Sequence, residues 1–233
     1  MKIITTDAEN NAVLYQVAAE VMLPLTDETR EKIEAMRVFY KSFGDKAGFA
    51  APQVGISERI ILVERDLFDT ASPDGDEPAI LINPAWKPIN DRQELDVEGC
   101  LSVTGKTGMV MRYTDVELTG WLYSTETGEL FSIKREYYRE FSSALWQHEI
   151  DHLDGKIYSD KAELLLNTDD LLILKRYLVD LGKIHNGMTL FDTGPLLYTL
   201  ALEWQQSQLK SVQEFLDGRP EKSEYRTVMS LTR

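Results

Sequence analysis

Cysteine and long apolar runs are scarce in this chain of 233 residues. A single cysteine, Cys100, excludes an internal disulfide and is typical of a reducing compartment. The apolar stretch LLILKRYLVDL is interrupted by Lys175, Arg176 and Asp180, so it cannot span a bilayer. The first residues, MKIITTDAENN, have no apolar core of a secretory signal. We therefore expect neither a secreted disulfide scaffold nor a membrane protein.

Positive charge is also in short supply. Lys and Arg number 25 against 39 Asp and Glu, a formal net charge of -14 at pH 7. Such a surface repels phosphate backbones and anionic lipids, so we expect no direct DNA partner and no membrane partner. The acidic excess is uneven: residues 1–161 carry 17 basic and 29 acidic residues, whereas residues 162–233 carry 8 and 10.

Strand-like and helix-like patterns follow one another in an order typical of an α+β fold. Thr26 and the acidic Asp27 and Glu28 open a helix whose apolar side chains recur at helical spacing. The apolar runs RIILVE and AILINPAW predict strands, and alternation on both sides of the turn signal TETG predicts antiparallel strands. A helical pattern returns in REFSSALWQHEIDHL. Antiparallel strands followed by a helix indicate the α+β class.

After residue 161 the pattern changes to amphipathic helices. The segment NTDDLLILKRYLVDLG has acids in its first turn and ends on Gly182. The segment GPLLYTLALEWQQSQLKSVQEFLDG has Pro195 where a first helical turn tolerates it and Gly218 at its end. We predict one domain over residues 1–161 and a mostly helical C-terminal extension over 162–233, whose role the pattern does not define.

The stretch WQHEIDHLDG contains two of the three histidines. On a helix, His148 and His152 lie on one face a turn apart and can both point a ring nitrogen at one divalent ion. Glu149 lies about 100° around the helix from His148 and can reach a water beside such an ion without being a ligand. A polar turn of a surface helix is the alternative interpretation of this pair.

A metal site needs a third ligand. HExxH metallopeptidases take it from downstream, where this chain offers His185 and several glutamates. Upstream, VEGCLSVTG places Cys100 where a predicted loop meets a strand. A thiolate there would complete a Cys/His/His set with a fourth position open, the arrangement of a catalytic site. Gln147 and Asp151 are candidates for orienting an imidazole.

At these residues the sequence resembles the peptide deformylases. Three family motifs occur in the family's order: GFAAPQVG, EGCLS and QHEIDH. The resemblance covers roughly residues 10–160 and implies antiparallel sheets around a central metal-binding helix. It also implies hydrolysis of the N-formyl group from the formyl-methionine of nascent polypeptides, with release of formate.

The resemblance assigns roles to individual residues. Glu149 would exchange protons with water and the departing amine, while the backbone N–H of Leu101 and the side-chain amide of Gln53 would stabilise the developing oxyanion. The implied metal ligands are Cys100, His148 and His152. The implied substrate-binding residues are Gly48, Gly99, Ala144 and Leu145. Glu98 and Arg112 match family positions that pair beneath the metal site.

The implied cofactor is one divalent metal ion, with Fe2+ favoured and Zn2+ or Ni2+ as alternatives in purified protein. The implied partners are N-formylmethionyl peptides, with the ribosome as a transient partner and a homodimer as one state of assembly. The expected location is the cytoplasm, an organelle or a phage-infected bacterial cytosol being the alternatives.

Two other functions compete with deformylation. An HExxH-type metallopeptidase would use the same helix but leaves EGCLS unexplained, and a non-catalytic binder of peptide N-termini leaves the intact Glu149 unexplained. The chain also departs from the family pattern at Lys46, where a glycine is usual, and at Thr104, where a proline is usual. We expect these departures to affect substrate range and not the ligands.

Overall fold

The computed structural model describes residues 1–42, 44, 47–68, 77–138, 141–185, 187–188 and 190–219. Lys46 therefore lies outside the described residues. The chain divides into two compact units. The first contains residues 1–94, 100–104 and 112–161, and the second contains residues 95–99, 105–111 and the described residues from Ala162 onward.

Within the described residues, eight strands form two sheets. In chain order they are β1 (Gly48–Ala50), β2 (Ile60–Val63), β3 (Ala79–Pro88), β4 (Gln93–Cys100), β5 (Val103–Tyr113), β6 (Asp115–Tyr123), β7 (Leu130–Tyr138) and β8 (Leu164–Asn167). The five-stranded sheet has the order β1-β2-β3-β6-β7 and is antiparallel throughout. The three-stranded sheet has the order β4-β5-β8.

The helices lie between and after these strands. In chain order they are α1 (Asp27–Ser42), α2 (Arg65–Phe68), α3 (Phe141–Leu153), α4 (Tyr158–Lys161), α5 (Thr168–Asp180), α6 (Leu190–Ser207) and α7 (Val212–Asp217). Short 3-10 helices span Asn11–Tyr15 and Ala51–Val54. The predicted mixture of helices with antiparallel sheet is confirmed. No helix in the described ranges combines the length and the apolar composition needed to cross a bilayer.

Helix α1 begins as its sequence predicts. The Thr26 hydroxyl accepts a hydrogen bond from the backbone N–H of Thr29 at 3.1 Å, which satisfies one of the free N–H groups of the first turn. Ile33 and Met36 face inward and are buried against β2 and β3. The apolar stripe of α1 therefore covers one face of the five-stranded sheet.

Helix α3 is buried nearly all round. Its Trp146 is fully buried, and the rings of Phe68 and Tyr137 lie 6.1 and 5.4 Å from it between centroids. Leu145, Ile150 and Leu153 belong to the same core cluster as Ile61 of β2 and Leu81 of β3. A helix held in this way has little freedom to rotate, so side chains on it are placed with precision.

The second unit has its own core. Buried apolar side chains of β5, β8 and helices α5 to α7 form one cluster that includes Met109, Leu166, Leu174, Leu200 and Phe215. Short β8, which begins the region predicted to be mostly helical, pairs antiparallel with β5 from Lys106↔Asn167 to Met109↔Leu164.

Candidate metal centre

Three ligand-type side chains converge in the first unit. One ligand atom of each of Cys100, His148 and His152 lies within 4.8 Å of the others. Cys100 Sγ and His152 Nε2 are 3.2 Å apart. The two imidazole rings are 5.0 Å apart between centroids and nearly perpendicular, at 81°.

Local structure explains this convergence. His148 and His152 are four residues apart on α3, so their side chains project from the same face. Cys100 is the last residue of β4 and is followed by a turn, where the backbone N–H of Ser102 donates to Cys100 Sγ at 3.4 Å. His185, the downstream alternative, is exposed in the second unit, and its backbone N–H bonds to Met188.

The thiol of Cys100 is tuned towards its anionic form. Burial raises the pKa of this thiol, but the charge of His152 and hydrogen bonds from His148 and His152 outweigh that effect. The net result is a pKa for Cys100 well below its ordinary value. A thiolate is the form that binds metals.

The set of donors fits a divalent ion. Tetrahedral coordination with metal–sulfur and metal–nitrogen bonds of about 2.3 and 2.1 Å places a ligating sulfur and nitrogen about 3.5 Å apart. The Cys100 to His152 separation of 3.2 Å is close to that value, and the third ligand atom lies within 4.8 Å of both. One thiolate and two imidazoles leave a fourth position for water or substrate.

Gln53 points its amide at this group. It is buried in the 3-10 helix Ala51–Val54, and its Oε1 accepts a hydrogen bond from the Ala50 backbone N–H at 2.8 Å. That bond fixes the orientation of the amide. Nε2 then donates to Cys100 Sγ at 3.3 Å and to Ser102 Oγ at 3.2 Å.

The start of the chain is tied to both sides of this arrangement. The backbone N–H of Ile4 donates to the Gln53 carbonyl at 2.8 Å, and that of Thr6 donates to the Ser102 carbonyl at 2.8 Å. Residues 4–6 therefore connect the segment that carries Gln53 with the turn after Cys100.

Glu149 is buried on α3 beside β1. A Cβ atom built on Gly48 would lie 3.1 Å from Glu149 Oε1, 2.8 Å from the Leu62 carbonyl oxygen and 2.9 Å from a Val63 methyl group. Only glycine fits this position without displacing its neighbours. Strand β1 therefore approaches the carboxylate of Glu149 closely.

The remaining predicted site residues occupy different surroundings. Leu101 follows Cys100 in the turn and packs partly against the cluster beneath α1. Ala144 and Leu145 are buried on α3, and Leu145 is part of the core cluster around Trp146. Gly99 is exposed in β4, with open space around its Cβ position. Thr104 is exposed in β5.

Two supports of α3 were not predicted from the sequence. The ring of Tyr158, which is buried, stacks on His148 at 5.8 Å between centroids and 29° between planes. The buried carboxylate of Asp151 accepts hydrogen bonds from Arg112 at 2.6 Å and from Lys161 at 2.7 Å. The positions of Tyr158 and Lys161 along the chain gave no sign that these residues would contact His148 and Asp151.

The side chain of Gln147 forms hydrogen bonds with backbone groups. Its Oε1 accepts from the Tyr113 N–H at 3.0 Å, and its Nε2 donates to the Tyr113 and Ser143 carbonyls at 2.8 and 2.9 Å. These bonds attach α3 to the end of β5. The carboxylate of Asp151 likewise bonds to Arg112 and Lys161, so both side chains anchor the helix.

Comparison with known proteins defines the class. The family described as polypeptide deformylase matches residues 1–167. Peptide deformylase 2 of Coxiella burnetii is 64% identical over 204 residues, which cover 87% of this chain and 98% of that protein. Because 204 aligned residues exceed the 167 of the family match, this likeness extends beyond the family region.

Solved structures agree. A peptide deformylase from Synechococcus elongatus in complex with actinonin is 32% identical with a TM-score of 0.53, covering 70% of this chain and 80% of that chain. One from Thermotoga maritima is 28% identical with a TM-score of 0.54, covering 70% and 97%. The chain belongs to the peptide deformylase family. It is accordingly a metal-dependent hydrolase that removes the N-formyl group from the formyl-methionine of nascent polypeptides and releases formate.

Proposed function

We propose that Cys100, His148 and His152 are the ligands of the catalytic metal ion, and that the ion is Fe2+. The support is the convergence of their ligand atoms within 4.8 Å on two elements held by a packed core. Zn2+ and Ni2+ suit the same mixed sulfur and nitrogen donors and are the alternatives for purified protein. A divalent ion held there supplies Lewis acidity, which makes water a nucleophile near neutral pH.

Glu149 is proposed to move the proton. Its buried carboxylate accepts a proton from the attacking water as the water oxygen bonds to the formyl carbon. When the carbon–nitrogen bond breaks, the same proton passes to the departing amine. The immediate products are formic acid and a peptide with a free methionine amino group. The acid then ionises to formate and the amino group takes up the second proton, so atoms and charge balance.

Gln53 and Leu101 are proposed to stabilise the negative charge that develops on the former formyl oxygen. The amide of Gln53 is already oriented by its bond to Ala50, and its Nε2 would exchange its bond to Cys100 Sγ for one to the developing oxyanion. The backbone N–H of Leu101 follows the ligand directly in the turn. Two donors prepared in advance lower the barrier more than mobile water would.

The peptide is proposed to lie along β1. Strand β1 is the outermost strand of the five-stranded sheet, so its open edge at Gly48 can pair with an extended main chain. Gly99 in β4 is proposed as a further substrate-binding residue. Ala144 and Leu145, four and three residues before His148, would contribute to the pocket for the methionine side chain.

We further propose residues 1–161 as the catalytic domain and 162–233 as a helical extension, with α3 as the central metal-binding helix. The cytoplasm is the proposed location, nascent chains on the ribosome are the proposed substrate source, and a homodimer is the proposed alternative to a monomer. The extension carries 8 basic against 10 acidic residues, which disfavours a purely electrostatic anchor on ribosomal RNA.

The observation that carries this proposal is the Cys100, His148 and His152 group with Gln53 hydrogen-bonded to its thiol. It is tested by incubating protein loaded anaerobically with Fe2+ with formyl-Met-Ala-Ser and, separately, with Met-Ala-Ser. We expect formate from the first peptide and no cleavage of the second. Cys100→Ala should lose the metal on gel filtration, and full metal retention by that variant would refute the ligand assignment.

A further inference from the structure

The strands that lead to and from Cys100 belong largely to the second unit. Strand β4 runs through Leu95 and Val97 to Cys100, and β5 leaves through residues 105–111. Cys100 and the N–H of Leu101 therefore lie at the joined ends of a strand pair. A two-stranded ribbon by itself is only marginally stable in water and needs a third strand or a packed helix to become fixed.

Strand β8 supplies the third strand. It pairs with β5 at four positions, and the Glu163 N–H adds a hydrogen bond to the Met109 carbonyl at 2.8 Å. The hydroxyls of Thr107 and Thr168 lie 3.0 Å apart and share a hydrogen bond. Because Thr168 is the first residue of α5, this bond joins the strand pair to the first helix of the extension.

Apolar packing joins the same elements. Leu95 and Val97 of β4 and Met109 of β5 pack into the cluster formed by helices α5, α6 and α7. Met109 is almost fully buried there. The C-terminal helices thus build a core with the strand pair, and that core lies within one compact unit.

Gly194 marks the closest approach. A Cβ atom built on it would lie 3.0 Å from the Leu95 carbonyl oxygen and 3.5 Å from a Val97 methyl group. Glycine is a poor helix former, and Gly194 is inside α6. The contact with β4 gives a physical reason for glycine at position 194. The β4 residue that it contacts, Leu95, lies five residues before Cys100 on the same strand.

We propose that the C-terminal helices hold the metal ligand in place: by packing on β4 and β5 they fix the position of Cys100, and Gly194 is a positioning residue for the metal centre. The inference depends on the proposed role of Cys100 as a ligand. It assigns residues 162–219 a function in metal retention. Cys100 is the one proposed ligand that does not come from α3, so its placement depends on the strand that carries it.

The test uses the full chain loaded with Co2+ and measures release of Co2+ to excess EDTA at 25 °C. Gly194→Val adds bulk against the β4 backbone and should accelerate release by about 10- to 100-fold, with Gly194→Ala in between. The matched control is Gly218→Val, because a Cβ atom on Gly218 would make only ordinary contacts, at 3.7 Å from the Phe215 carbonyl oxygen. This control should release Co2+ at the wild-type rate.

A second readout follows the thiol itself. Cys100 is the sole cysteine, so alkylation by iodoacetamide of metal-free protein reports on its position without any turnover. It should be faster in Gly194→Val than in Gly218→Val. Circular dichroism and thermal unfolding establish that each variant is folded at 25 °C. A folded Gly194→Val that releases Co2+ at the wild-type rate overturns the proposal.

Two further variants keep the test decisive. If Gly194→Val does not fold, Co2+ release from Thr168→Val tests the proposal instead, because this variant loses the hydrogen bond to Thr107 without adding bulk. Faster Co2+ release than from wild type supports the proposal, and an unchanged rate overturns it. Cys100→Ser is measured in parallel. If it releases Co2+ no faster than wild type, the ligand assignment itself is wrong, whereas fast release from Cys100→Ser with slow release from Gly194→Val refutes only the positioning role.

Discussion

Replacing Gln53 by methionine tests two functions of its amide: the proposed stabilisation of the oxyanion through Nε2 and the hydrogen bond that Oε1 accepts from Ala50. Methionine has a similar length but neither donates nor accepts a strong hydrogen bond. The Nε2 donor near Cys100 is lost, and removal of one such donor typically costs about 10²–10³ in rate, or about 2.7–4 kcal/mol in the barrier. In the proposed mechanism this donor acts on charge that develops in the transition state, so the loss should appear in kcat with little change in KM.

The same change has a separate cost in stability. The Ala50 N–H is buried and bonds to Gln53 Oε1 at 2.8 Å, so it loses its partner in the variant. An unsatisfied buried N–H costs about 1–3 kcal/mol. We therefore expect the free energy of unfolding of metal-free protein to fall by about 1–3 kcal/mol, measured in urea by circular dichroism.

Ser102→Ala is the control for this experiment. It removes the other acceptor of Gln53 Nε2 and leaves the bonds to Cys100 and Ala50 in place. Formate release from formyl-Met-Ala-Ser should fall by less than about tenfold in this control. If Gln53→Met keeps kcat within about threefold of wild type while remaining folded, Gln53 does not stabilise the oxyanion, and that part of the mechanism is wrong.

Three further predictions have distinct expected outcomes. Glu149→Ala should retain stoichiometric metal by elemental analysis but lose about 10²–10⁴ in kcat; normal turnover would exclude Glu149 as the proton carrier. Gly155→Ala should lower the free energy of unfolding by at least about 2 kcal/mol, because Gly155 has φ of 68° and a Cβ there would meet backbone at 2.7 Å; unchanged urea unfolding would contradict this. Arg112→Met should lower the free energy of unfolding by about 3–5 kcal/mol, since it leaves the buried Asp151 with one cation. Replacement of the more exposed Lys161 by methionine should lower it by about 1 kcal/mol or less. Equal losses of stability in thermal unfolding would refute this ranking.

The elements predicted with most success are those whose signal is local. RIILVE forms β2, AILINPAW begins β3, and the two runs around TETG form β6 and β7, paired from Asp115↔Tyr138 to Tyr123↔Leu130. In each case the apolar pattern and the turn residues agree with the final environment. Helix α3 was also recognisable, because its histidines and its apolar residues both follow helical spacing.

Elements that depend on distant partners were not predicted. Strand β4 covers a segment predicted to be a loop, because the stretch QELDVEG has three acidic residues and only Val97 among the usual strand residues. It forms a strand through its pairing with β5. Strand β8 has only four residues and lies at the start of a region whose apolar pattern predicts helices. The stacking of Tyr158 on His148 and the bond from Lys161 to Asp151 likewise arise from tertiary structure and not from spacing along the chain.

The way the chain's first residues reach the candidate metal centre has a consequence for folding kinetics. Ile4 bonds to the carbonyl of Gln53, Thr6 to that of Ser102, and Gln53 to Cys100. Contacts between such widely separated segments form late, because loops must close before they add any stability. Recovery of deformylase activity during refolding should therefore lag behind recovery of secondary structure, which makes turnover a sensitive reporter of the last steps of folding.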